Sequence, residues 1–404
     1  MNKKKIINDP VYGFIHLPYE LIFDLLEHPY FQRLRRIKQL GLTCYVYPGA
    51  THSRFHHALG AMHLMTQAVA VLQAKRVAIE PAEAEAVCTA ILLHDIGHGP
   101  FSHALEHTIV AVHHETLSML FMEQLNRYCK GRLSLAMSIF EGDYPKAFLH
   151  ELVSSQLDMD RMDYLNRDSF FTGVEEGVIG FERIIKMLDV YNNHIVVEAK
   201  GIYSVEQFLI ARRLMYWQVY LHKTALAAEC MLVKLLERAK YLTQQGHTLE
   251  ATPAFSLFLQ NHFTEQDFQN NPDLLAQFAL LDDTDIEVAM KVWQNHSDRV
   301  LSILAKGLLN RQILKIVLEN EPISEELYEQ QHQRICRTYQ LSKEEADYLV
   351  FCGTTSNSAY SYKGSQINIA YKNGAIKNIT QASDYLNLAA LAATVVKHYL
   401  CYLK

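Results

Sequence analysis

No stretch of this chain approaches the ~20 uninterrupted apolar residues that a bilayer-spanning helix requires. The opening MNKKKIINDPVYGF has basic residues but no apolar run behind them. Neither a membrane span nor a secretory leader is expected, and the reading is a cytoplasmic protein. Cysteine is sparse and unpatterned: Cys44, Cys88, Cys129, Cys230, Cys336, Cys352 and Cys401 contain no C-x-x-C pair. That argues against a disulfide framework or a cysteine zinc site and for reduced thiols. An excess of positive charge is also missing. With 38 Lys+Arg against 44 Asp+Glu and a net charge of −6, no basic field is available, so neither nucleic acid nor an anionic membrane is an expected partner. Internal repeats and low-complexity tracts are absent as well. What remains, 49% hydrophobic residues over 404 positions, suffices for a large globular core.

Histidine is the residue in excess. Of 20 histidines, ten lie between His52 and His114, where an even spread would put about three. The surrounding sequence is amphipathic at helical spacing from about Leu17 to Lys315, as in AMHLMTQAVAVLQA and PAEAEAVCTAILLHDIG, which predicts a mostly α protein. Pro81 suits a helix first turn, and Gly97, Gly99 and Pro100 end the helix that reaches Ile96. Short strands are expected at Tyr45 to Tyr47 and His194 to Val197. Further on, QINIAY and AIKNIT alternate around Lys372-Asn373-Gly374, a hairpin signal. A last helix is expected over Ser383 to Tyr402. The segment ENEPIS suggests a boundary between a helical body, residues 1–318, and a small C-terminal α+β lobe, residues 319–404.

Three segments carry chemistry. In LLHDIGHGPFSH, His94 and Asp95 are neighbours on a helix end, and side chains roughly 100° apart can both reach a metal above the groove between them. In RFHHALG, His56 and His57 open another helix. In SSQLDMDRMDYLNRD, Asp160, Asp163, Tyr164 and Arg167 form one polar stripe at i, i+3, i+4 and i+7. Two histidines with two aspartates leave coordination positions open, as a hydrolytic metal needs.

Together these segments read H…HD…D, the metal-binding signature of the HD phosphohydrolase superfamily, with its HD core here over about residues 50–170. The successive blocks FQRLRRIKQLG, YPGATHSRFHHALG, LLHDIGHGPFSH, HHE and DMDRMDYLNRD resemble one branch of it in order, the deoxynucleoside triphosphate triphosphohydrolases, including the vertebrate enzyme with a sterile-alpha-motif domain. The likeness is strong over about residues 6 to 230 and looser beyond. It implies that His57, His94, Asp95 and Asp160 bind one divalent metal ion (iron, manganese, nickel, cobalt, zinc or magnesium), with additional magnesium accompanying the nucleotide. It implies that His98, His103 and His114 face the triphosphate, with Glu106 and Glu115 orienting imidazoles. Arg54, Arg161, Tyr164, Arg212 and Tyr220 match contacts to phosphates or sugar, while Gln39 and Leu40 match the pair that reads the 3′-hydroxyl and packs beneath the sugar. The reaction implied is attack at the α-phosphorus of a dNTP, dGTP among them, releasing deoxynucleoside and tripolyphosphate, with His103 as general acid. The alternatives are an HD phosphatase acting on a nucleoside monophosphate or another phosphoester, and a nucleotide-sensing module with weak hydrolysis.

The resemblance extends to a regulatory nucleotide site between subunits. Asn8, Asp9, Gln32, Arg35, Arg183, Lys200, Arg311 and Lys315 match positions that hold an activating GTP or its neighbouring dNTP, and Arg311 with Lys315 would put two cations on one helix face. Glu27 stands where an aspartate reads guanine, Arg161 replaces a frequent lysine, and the His103–His114 connection is short. A shared anion implies a homo-oligomer, dimer or tetramer.

Overall fold

The computed structural model describes residues 5–102, 106, 108–357, 366–384 and 394–404. Its centre is helix α2 (Arg54–Ala74). Ala58, Leu59, Ala61, Met62, Leu64, Met65, Ala68 and Leu72 are all buried, so this helix is covered on most of its circumference instead of showing one wet face. Each fully buried leucine or methionine side chain there contributes about 1.5–3 kcal/mol. Against α2 pack α3 (Pro81–Leu93) and α5 (Met159–Thr172). Pro81 does occupy the first turn of α3, and the Glu83 carboxylate accepts from the Glu80 amide at 2.7 Å to cap it. The chain then turns through Gly97 towards α4 (His114–Tyr128). A Cβ on Gly97 would sit 2.2 Å from the His114 carbonyl oxygen, so only glycine allows this approach. Ser118 of α4 stitches the turn, accepting from Gly97 N at 3.0 Å and donating to His94 O at 2.8 Å.

Helix α6 (Ile202–Met215) ends in a π-turn over Tyr216–Tyr220, closed by Leu221 N to Tyr216 O at 2.7 Å, and α7 (Lys223–Gln244) follows. The wider turn rotates Tyr220 towards α5, the kind of local irregularity that clusters at functional sites. Helices α8 (Asp283–Trp293) and α9 (Arg299–Leu309) complete the body.

Strands β1 (Ile6–Asp9) and β2 (Gly13–His16) form an N-terminal hairpin. Strands β3 (Leu188–Tyr191) and β4 (His194–Glu198) pair antiparallel, as do β7 (Asn368–Ala370) and β8 (Ile376–Asn378), and β4 joins β7 in parallel. The expected strand at His194 and the expected hairpin around Asn373-Gly374 are therefore present, with Gly374 at φ +79°. A third sheet places β9 (Val395–Tyr402) between β5 (Lys315–Glu319) and β6 (Val350–Asn357).

Two expectations are corrected. Tyr45 to Tyr47 is not a strand: Gly41–Tyr45 is a 3₁₀ turn, and Thr43 O accepts from both Val46 N and Tyr47 N. The last helix does not run to Tyr402, because 395–402 is the middle strand of a sheet; 385–393 lie outside the described residues. Val395, Val396 and Tyr399 favour extended backbone once two partner strands are available.

Candidate metal centre and adjoining cavity

Three helices bring two histidines and two aspartates together, and His57, His94 and Asp160 each place one atom able to hold a metal within 4.8 Å of the others. His57 comes from the first turn of α2, His94 and Asp95 from the end of α3, and Asp160 from the first turn of α5. His57 Nε2 lies 3.4 Å from His94 Nε2 and 3.1 Å from Asp160 Oδ1, and His94 Nε2 lies 3.4 Å from Asp160 Oδ1. Asp95 flanks the group through both oxygens, Oδ1 3.4 Å from His94 Nε2 and Oδ2, which Arg54 also holds, 3.7 Å from His57 Nε2. Such separations suit N and O ligands that each sit about 2.1 Å from a common ion. The neighbouring His56 is not part of this group; its Nδ1 accepts from Ser53 N at 3.2 Å and caps α2.

Both imidazoles are held in the tautomer that leaves Nε2 free. His57 Nδ1 bonds Asp163 Oδ2 at 2.7 Å, and His94 Nδ1 bonds Ile91 O at 2.6 Å. Burial opposes a charge on His57, but its bonds to Asp160 and Asp163 prevail and lift it to about 10. Against their burial, Asp160 is driven low by His57 and His94, and Asp95 is held well below the usual carboxylate range by Arg54 and His94. The cluster holds protons tightly, and a divalent cation would take their place.

A second histidine group sits beside it. His98, buried, has Nδ1 3.3 Å from Asp95 Oδ1 and its ring centroid 4.0 Å from that of His114. Glu106 accepts from His114 Nδ1 at 2.8 Å, and burial lowers the His114 pKa in spite of that carboxylate. Glu106 thus fixes the orientation of the His114 ring. Glu115 does not orient one from within the site: it is exposed and 3.9 Å from His113 Nδ1. His103 lies outside the described residues.

Buried residues that the sequence reading passed over hold this turn. Arg33, sandwiched between Phe121 and Phe278, donates to Ile96 O at 2.7 Å and His98 O at 2.8 Å. Asp283, in the first turn of α8, accepts from Phe101 N at 2.8 Å and Lys38 N at 2.9 Å, and burial lifts its carboxyl to about 6. Phe101 and Ser102 both adopt left-handed φ, 48° and 55°, a strained conformation that needs such support. Asp283→Asn keeps one acceptor but turns an NH₂ towards the other amide. A loss of about 2 kcal/mol in unfolding free energy is expected, checked by urea denaturation.

A cavity of about 320 Å³ adjoins the cluster, bounded by Gln39, Leu40, Arg54, Ser102, Tyr164 and Tyr220 among others. Arg54 belongs to both, bonding Asp95 on one side and Ser102 Oγ at 2.7 Å on the other. Tyr220 donates to Asp168 Oδ2 at 2.8 Å, and Asp168 is held by His52 Nε2 at 2.7 Å. His52 and Asp168 were missed, although Asp168 recurs one turn beyond Tyr164 and His52 lies in the histidine-rich window. Burial raises the pKa of Tyr164 and of Tyr220, so both hydroxyls remain donors. Arg161 ion-pairs with Asp158, and Arg212 Nη1 is 3.5 Å from Gln156. Arg161 Nε, Arg212 Nε and Gln39 Oε1 are buried without a hydrogen-bond partner among the described residues.

The positions assigned to regulation are spread out. Glu27 is exposed at the end of α1 (Glu20–Glu27), and Asn8 lies in β1. Gln32 bonds Leu26 O and Arg35, whose guanidinium lies 3.6 Å over Phe55. Arg183 donates to Lys200 O at 2.9 Å. Asp9 is buried against Arg167. Arg311 and Lys315 do not share a helix face: α9 stops at Leu309, Arg311 has φ +55°, and Lys315 opens β5. They line one cleft of about 350 Å³ together with Lys223 and Lys404.

A cluster of two histidines and two aspartates on three buried helices defines a hydrolase of the HD type. Residues 54–166 match the HD domain and residues 179–251 the HD associated region. The chain belongs to the HD-domain phosphohydrolase family, in which homologues named as dNTP triphosphohydrolases occur at about 30% identity. A solved phosphohydrolase from Bacteroides thetaiotaomicron VPI-5482 is 54% identical, with TM-score 0.96 over 99% of this chain and 100% of that one. The uncharacterized protein YwfO of Bacillus subtilis (strain 168) is 34% identical over 78% of this chain and 72% of its own length. The deoxynucleoside triphosphate triphosphohydrolase SAMHD1 homolog of Dictyostelium discoideum is 32% identical over 62% of this chain. The match spans 52% of that relative, about half its length.

Proposed function

We propose that this protein is a metal-dependent dNTP triphosphohydrolase. The observation that carries the reading is the cavity that opens beside the His/Asp cluster and shares Arg54 with it, with the Nε atoms of Arg161 and Arg212, whose charges act on the cavity-lining Tyr164, buried without a hydrogen-bond partner among the described residues. A triphosphate would supply the acceptors that those nitrogens lack. His57, His94, Asp95 and Asp160 would hold one divalent ion, which supplies Lewis acidity towards a phosphoryl oxygen and water. Tyr164 and Gln39 would contact the sugar, and Tyr220, fixed by Asp168, would crowd a 2′-hydroxyl. His98 and His114 would face the phosphate oxygens; with His114 Nδ1–H on Glu106, its Nε2 would donate only as the imidazolium that a bound polyphosphate favours, and His103 would protonate the leaving 5′-oxygen. The basic cleft of Arg311 and Lys315 supports binding of an activating nucleotide in a homo-oligomer.

The test is a product analysis of the manganese-loaded protein with each dNTP, singly and in pairs, and with a deoxynucleoside monophosphate. Deoxynucleoside plus tripolyphosphate is the expected result. Release of orthophosphate from the monophosphate alone would establish the phosphatase alternative. His103→Ala is expected to remove turnover while metal content is unchanged.

A further inference from the structure

We propose that Asp9, on the N-terminal hairpin, is a positioning residue for the metal centre, and that order in the hairpin and metal binding are coupled through it. The inference rests on the reading that His57 and its three neighbours hold a divalent ion.

A continuous chain of buried charges connects the two. His57 Nδ1 bonds Asp163 Oδ2 at 2.7 Å. Arg167 grips the same carboxylate through Nε at 2.9 Å and Nη2 at 3.0 Å. Its remaining nitrogen, Nη1, reaches Asp9 Oδ2 at 2.8 Å. His57, Asp163 and Arg167 are fully buried and Asp9 is 6% exposed, so water does not screen the series. Helix α2 makes room for it at Gly60, where a Cβ would fall 2.0 Å from Asp163 Oδ1.

The charges give the chain its effect. Asp9, Arg167 and Asp163 sum to −1, which favours a cation at His57. Without the Asp9 charge, Arg167 would be balanced by Asp163 alone and would compete with His57 for that carboxylate. His57 Nε2 then becomes a poorer ligand, as for other outer partners of metal-bound histidine. The two oxygens of Asp9 are used unequally. Oδ1 accepts from Val11 N and Tyr12 N at 2.9 Å each, which fixes the hairpin turn, and from Arg167 Nη2 at 3.4 Å, while Oδ2 takes the shorter contact with Arg167. Asp9→Asn therefore preserves an oxygen for the turn and removes the charge facing Arg167. Tyr12 also packs on His63 and Phe181, which keeps the hairpin seated.

Two measurements test the coupling, both with Mn²⁺ as probe and neither dependent on turnover. Calorimetric titration of chelator-treated protein should give one Mn²⁺ per chain for wild type, none for Asp160→Ala, and a dissociation constant raised about tenfold for Asp9→Asn. Phe14→Ala, exposed on the other strand of the hairpin and outside the chain of charges, should bind as wild type does. In hydrogen exchange, Mn²⁺ should slow the amides of Val11 and Tyr12 in wild type, because coupling is reciprocal, but not in Asp160→Ala. Equal Mn²⁺ affinity in Asp9→Asn and wild type overturns the inference, as does hairpin exchange indifferent to Mn²⁺, a readout that stands even if the variant fails to fold. Absence of Asp160-dependent Mn²⁺ binding in wild type would instead overturn the metal reading itself, and the inference with it.

Discussion

Asp160→Ala is expected to strip the protein of its metal ion and reduce turnover to below about 1% of wild type. Asp160 Oδ1 is within 3.4 Å of both ligand imidazole nitrogens. Its loss leaves His57 and His94 facing each other at 3.4 Å, with Asp95 partly engaged by Arg54. Losing a ligand should cost more than the 10–100-fold typical of outer partners. Metal content after gel filtration would show the loss. A thermal melt should still show a cooperative transition, because the capping pair Asp158–Arg161 and the buried pair Asp163–Arg167 of the same helix are untouched. Retention of stoichiometric metal would exclude Asp160 as a ligand.

Gly60→Ala carries the largest expected effect on stability. The added methyl would lie 2.0 Å from Asp163 Oδ1 and 2.1 Å from Arg167 Nη2. Both side chains are fully buried, so neither can swing aside into water. Either the ion pair opens inside the core or α2 shifts against α5, and breaking a buried pair costs about 3–5 kcal/mol. A general preference of helices for alanine over glycine, about 1 kcal/mol in the other direction, is too small to compensate. Chemical denaturation of the variant decides it: a loss below about 1 kcal/mol would mean that the α2–α5 contact is plastic.

The meeting of His57, His94 and Asp160 was legible because the ordered motif blocks, through their family resemblance, pointed to it. Spacing alone could not separate His56 from His57. What separates them in space is that one caps a helix through Ser53 and the other meets Asp163. Arg33 and Asp283 were illegible for another reason. Their partners stand far along the chain, as in Asp283 with Phe101 or Arg33 with Leu281, and nothing local marks a buried charge that serves a distant amide or carbonyl. The Ser383 to Tyr402 segment failed similarly. Its apolar residues fit a helical period, but the backbone of 395–402 is claimed by β5 and β6, which lie earlier in the chain. The Arg311–Lys315 spacing misled because α9 ends two residues before Arg311.

The parallel contact of β4 with β7 bears on how the molecule forms. It brings Val196 beside Asn368 and Glu198 beside Ala370, closing a segment of chain longer than many whole domains. Each flanking hairpin, β3–β4 and β7–β8, can form from neighbouring residues, but their union must await everything between. Contacts of such separation slow folding because closure entropy is lost before any pairing compensates it. Refolding followed by hydrogen exchange should therefore find the amides of β4 and β7 protected late, after those of α2 and α3.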